Sequence, residues 1–78
     1  MQELQDILVV VERLAELEGD TYLAEVAREV ASYPESPFTR RLLLRYLSFR
    51  NTPAHQALTR LFVAAAERVG LSQPAPAK

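Results

Sequence analysis

Apolar positions in the first part of the chain recur at helical spacing. Leu4, Ile7, Leu8, Val11, Leu14, Ala15 and Leu17 follow one another in the steps that put side chains on one face of an α-helix. The pattern predicts a first helix over about Glu3 to Glu18, closed by Gly19 in the left-handed conformation that costs glycine least. Asp20 or Thr21 then stands where a side-chain oxygen can cap a second helix. That helix runs to about Ser32, turning Leu23, Val26, Ala27 and Val30 inward and Glu25, Arg28 and Glu29 outward. Pro34 forbids its continuation.

Two similar start signals follow. Ser36-Pro37 and Thr52-Pro53 each place a hydroxyl at a helix N-cap and a proline at the first helical position, where the missing N–H costs nothing. They predict a third helix over about Pro37 to Arg50 and a fourth over about Pro53 to Val69, with Gly70 ending the fold. The connections are short, which makes successive helices antiparallel neighbours. The expected architecture is all-α: a small antiparallel four-helix bundle over residues 1–70, then a flexible Pro/Ala-rich tail over residues 71–78.

The third helix has an unusual cross-section. Phe38, Leu42, Leu43, Leu44, Tyr46, Leu47 and Phe49 cover most of its circumference, leaving a polar sector of Arg41, Arg45 and Ser48. A helix apolar nearly all round is buried by more than one partner. A chain of 78 residues also buries only about 60% of the surface it exposes when unfolded. With no cysteine, disulfides and thiolate metal sites are excluded as staples. Homo-oligomerisation is the support that remains, and docking to a larger protein uses the same kind of surface. Candidate interaction residues are Leu44 on the crowded third helix, and Val9 and Val63, which sit among polar positions on theirs.

Charge divides along the chain. Residues 1–35 carry nine acids and two bases, a net of −7, and residues 36–78 carry seven bases and one acid, a net of +6, which together give the overall −1. Such a split suggests a nucleic-acid surface, but antiparallel packing offers internal partners. If facing residues of the second and third helices sum to about 70, Glu29 meets Arg40 or Arg41 and Glu25 meets Arg45. If those of the first and fourth sum to about 72, Glu12 meets Arg60 and Glu3 meets Arg68. Asp6, Glu16, Glu18, Asp20 and Glu35 are left without partners in this scheme.

Hydrophobic residues make up 49% of the chain and charged ones 24%, the balance of a globular domain. The longest apolar runs, Ile7 to Val11 and Leu61 to Ala66, are five and six residues, against roughly 20 for a membrane span. Glu3 and Asp6 stand where a signal peptide has basic residues. These features predict a cytoplasmic protein that does not enter the membrane. Eight of the nine cationic side chains are arginine, a composition that suits a heat-adapted organism.

Little in the chain points to catalysis. Both glycines are isolated, so no phosphate-binding loop can form, and one histidine without cysteine leaves no metal cluster. No cofactor or metal is expected. One stretch, Arg50-Asn51-Thr52-Pro53-Ala54-His55, resembles the R-N-x-x-x-H motif of HEPN-type ribonucleases, helical bundles that dimerise to form a composite RNA-cleaving site. The resemblance implies phosphate contact by Arg50, proton transfer by His55 and orientation of both by Asn51. The local reading is simpler: Arg50 ends one helix, Asn51 makes a left-handed turn, and His55 lies in the exposed first turn of the next helix. A third reading treats the third and fourth helices as a helix-turn-helix, with His55, Gln56, Thr59 and Arg60 facing a groove. Nucleic-acid candidates are then Arg41, Arg45, Arg50, His55 and Arg60. The sequence favours a non-enzymatic helical module acting by self-association and protein docking, ahead of nucleic-acid binding and RNA cleavage.

Overall fold

A computed structural model describes residues 2–71, and within them the chain forms four α-helices and no strand. They are α1 (Gln2–Leu17), α2 (Thr21–Ser32), α3 (Pro37–Arg50) and α4 (Pro53–Arg68). The starts follow from the caps. The Asp20 carboxylate accepts from the Leu23 N–H at 3.2 Å, the Ser36 hydroxyl from Thr39 at 3.4 Å and the Thr52 hydroxyl from His55 at 3.2 Å. Each removes one of the unpaired donors at a helix start. Pro37 and Pro53 begin the helices their caps announce.

The ends of α1, α3 and α4 are set by residues with positive φ. Gly19 (φ 71°) closes α1 in a Schellman turn, in which the Asp20 N–H reaches back to the Ala15 carbonyl at 2.8 Å and Gly19 to Glu16 at 3.2 Å. Gly70 (φ 80°) does the same after α4, with Leu71 donating to Ala66 at 2.7 Å and Gly70 to Glu67 at 3.1 Å. Leu71 packs partly buried against the core. Residues 72–78 of the expected tail lie outside the described residues. Asn51 turns the chain between α3 and α4 at φ 49°, as expected of asparagine in this conformation.

α1 packs against α2 and α4, and α3 packs against the same two, so each helix meets its neighbours around a ring. Cross-links show that the neighbours run antiparallel. Arg28 of α2 pairs with Glu12 of α1, Asp20 at the start of α2 pairs with Arg50 at the end of α3, and Glu3 at the start of α1 pairs with Arg68 at the end of α4. The centre is filled by Leu4, Leu8, Val11, Leu23, Val30, Leu43, Leu47 and Phe62, all almost fully buried. Burying each such leucine, valine or phenylalanine contributes roughly 1.5–3 kcal/mol.

Leu17 departs from its predicted role. It is 86% exposed, because its position on α1 points opposite to Leu4, Leu8 and Val11. No helix among the described residues is long and apolar enough to cross a membrane.

Candidate functional site

Two connections meet at one end of the molecule: Glu18-Gly19-Asp20 between α1 and α2, and Asn51-Thr52 between α3 and α4. The Arg50 Nε donates to Asp20 Oδ2 at 2.6 Å, a second guanidinium nitrogen touches the same oxygen, and Nη1 donates to the Tyr46 carbonyl at 3.0 Å. The guanidinium also stacks over the Tyr46 ring, 5.8 Å from its centroid. Sequence reasoning left Asp20 unpaired. The register it used for α2 and α3, a sum of 70, is nevertheless the one that joins Asp20 to Arg50.

His55 lies beside this clasp and differs from its expected exposed setting. It is 1% exposed, because it extends the inward row of Leu58 and Phe62 by one turn towards the start of α4. The Thr52 hydroxyl sits 2.5 Å from His55 Nδ1 while accepting the His55 backbone N–H. The hydroxyl donates to Nδ1 or accepts from it according to the ring tautomer, since it has one proton and two lone pairs. Nε2 faces Glu18 Oε1 at 3.3 Å without making a hydrogen bond. The arginine and histidine of the ribonuclease-like stretch are thus each turned to an acidic residue of the α1–α2 connection.

The other internal pairings divide. Glu3 and Arg68 pair as the register predicts, through Arg68 Nε to Glu3 Oε1 at 3.0 Å and a second contact from Nη2 to Oε2. The Arg68 guanidinium holds the Glu3 carboxyl below its ordinary range, and Glu3 in turn raises Arg68. Glu12 does not meet Arg60. It accepts from Arg28 at 2.7 Å, and Glu16 lies 3.8 Å from the same guanidinium, so Arg28 is raised chiefly by its hydrogen bond to Glu12. Glu12 and Glu16 point to the α2 side of α1, which puts them beyond the reach of α4.

Arg40 does not face Glu29. It is 4% exposed, in line with Leu43 and Leu47, and its Nη1 donates to the Pro34 carbonyl at 2.5 Å in the α2–α3 connection. Its Nε has no hydrogen-bond partner.

The candidate nucleic-acid residues do not form one set. Arg41, Arg45 and Arg60 are exposed, whereas Arg50 is held by Asp20 and His55 is buried. The candidate interaction residues are also separated: Val9 is exposed on α1, while Leu44 and Val63 are half-buried on α3 and α4. Among the described residues, no three or more His, Asp or Glu side chains gather as metal ligands would.

The apolar circumference of α3 was legible in the sequence, but Leu44 rather than Phe38 and Phe49 was its expected interaction residue, and its continuation onto Tyr22 of α2 was not expected. Phe38 is 65% exposed and Phe49 66%, on the outward side of α3. Tyr46 stands 6.3 Å from Phe49 and 6.4 Å from Tyr22 of α2, centroid to centroid, which carries the aromatic row across the seam between the helices. Phe38 and Leu42, with Leu44, Arg41 and Arg45, line a shallow open groove at the other end of α3. The signal for this face was present: residues 38, 42, 46 and 49 recur at helical spacing on the side opposite Leu43 and Leu47.

No family model, curated protein or solved structure matches this chain.

Proposed function

We propose that this protein is a non-enzymatic helical association module that self-associates and docks protein through the outer face of α2 and α3. The observation that carries this reading is the exposure of Phe38 and Phe49 on a helix whose opposite side already fills the core. Aromatic residues are over-represented in the buried centres of protein interfaces, where they contribute most of the binding energy. Completion by homo-oligomerisation also suits the small core that a chain of this length can build.

The environment of the histidine supports a non-catalytic reading. A group that transfers protons to RNA must be reachable by its phosphodiester, and His55 is enclosed with Nδ1 engaged by Thr52. Arg50 is likewise engaged on Asp20 and the Tyr46 carbonyl.

Sedimentation of the wild type and of Phe49→Glu tests the proposal. The wild type is expected to sediment as an oligomer and the variant to shift towards monomer with its helicity intact. A wild type that stays monomeric throughout the micromolar range overturns it.

A further inference from the structure

Four exposed charges border the aromatic face and make no ion pair with any described residue: Glu25 and Glu29 on α2, Arg41 and Arg45 on α3. The contact between Asp20 and Arg50 fixes their heights. Residues of α2 and α3 whose numbers sum to 70 lie level, so Glu25 is level with Arg45 and Glu29 with Arg41. They are nevertheless kept apart. At about 100° per residue, with Leu43 and Leu47 inward, Tyr46 falls on the α2 side of α3 and Arg41 on the far side. Leu42, Phe49, Phe38 and Arg45 fall between them, in that order. Glu25 and Glu29 lie on the outward part of α2. Across the face the order is therefore an acidic edge, an aromatic and aliphatic centre, and a basic edge.

Resting on the association reading above, we infer that this face binds a second copy of the chain about a two-fold axis parallel to α2 and α3. Rotation about that axis exchanges the two edges and keeps every residue at its height. Glu25 and Glu29 of each copy then come level with Arg45 and Arg41 of the other, while the two aromatic centres cover one another. A two-fold axis across the helices would instead lay acid on acid and base on base. A partner of one charge sign would match one edge and be repelled by the other. The surface is complementary to itself, as a symmetric dimer requires.

Charge exchange tests the inference directly. Full-length R41E/R45E has two acidic edges and E25R/E29R has two basic ones. Sedimentation velocity of each alone is expected to show self-association weakened at least about tenfold, since like charges face each other across the interface. An equimolar mixture is expected to restore dimer at close to wild-type affinity, with circular dichroism confirming that both variants are helical. If the variants dimerise as the wild type does, or the mixture associates no better than either alone, this geometry is overturned; a wild-type dimer then leaves association through another face standing. A monomeric wild type overturns both. Should a variant fail to fold, the wild type decides: its dimer is expected to weaken as salt rises, and a dimer indifferent to salt contradicts the inference.

Discussion

Arg50, in the last turn of α3, holds Asp20, the residue that caps α2, through a 2.6 Å hydrogen bond from Nε to Oδ2. One carboxylate thereby does two jobs. It satisfies the start of its own helix at the Leu23 N–H and fastens the α1–α2 connection to the end of α3. Both side chains are largely withdrawn from water, so the pair is screened less than a surface bridge.

Asp20→Ala is expected to lower stability by about 1–3 kcal/mol, combining a lost cap with a lost ion pair. Asp20→Asn keeps a capping oxygen and should cost less. Urea unfolding of Asp20→Ala, Arg50→Ala and the double variant measures the coupling, expected at about 0.5–2 kcal/mol. Strict additivity would show that the contact contributes nothing.

His55→Ala removes an enclosed ring and is expected to cost about 2–4 kcal/mol. Thr52→Ala removes the cap and the Nδ1 contact, at about 1–2 kcal/mol, whereas Thr52→Ser keeps both and should lie close to wild type. Chemical denaturation reads these differences. In the same preparations RNA should remain intact with wild type and His55→Ala alike; cleavage by the wild type alone would restore a catalytic role.

Glu3 gives a pH dependence of known sign. Its carboxyl is held below the ordinary range by Arg68, so the native state favours the ionised form. The stabilisation is present above the carboxylate pKa of the unfolded chain and disappears as pH falls through the lower folded value. The difference in unfolding midpoint between wild type and Arg68→Ala should therefore be small but present at neutral pH, shrink in acid and shrink in salt. A difference unchanged in acid would assign the effect to packing of the arginine stem.

Gly19→Ala isolates a backbone cost. A Cβ there would meet nothing within 4 Å, yet the residue sits at φ 71°. About 1–2 kcal/mol of destabilisation is expected from conformation alone, measured by thermal or urea unfolding, with Gly19→Asn costing less. An unchanged midpoint would mean that the α1–α2 turn relaxes to another conformation.

Local structure was the more legible part of the sequence. Ser36-Pro37, Thr52-Pro53, Gly19, Gly70 and Asn51 act within a few residues of themselves, so their positions alone define the turns and most helix limits. Tertiary choices were less legible. The register placed Glu3 against Arg68, yet Arg28 took Glu12, because α1 offers its carboxylates to α2 rather than to α4. Arg40 and His55 were misplaced for a common reason. Each begins an inward row, Arg40 before Leu43 and Leu47 and His55 before Leu58 and Phe62, and that spacing outweighs the polarity of the side chain. Arg40 can be buried because the Pro34 carbonyl waits for its guanidinium, and His55 because Thr52 engages its ring. Those partners become visible only when the connections are folded.

Self-association is the central claim, and the mass of the wild-type chain in solution tests it most directly. Sedimentation equilibrium across the micromolar range should give twice the mass of the chain, falling towards the single-chain mass as the protein is diluted. A single-chain mass at every concentration would contradict the account.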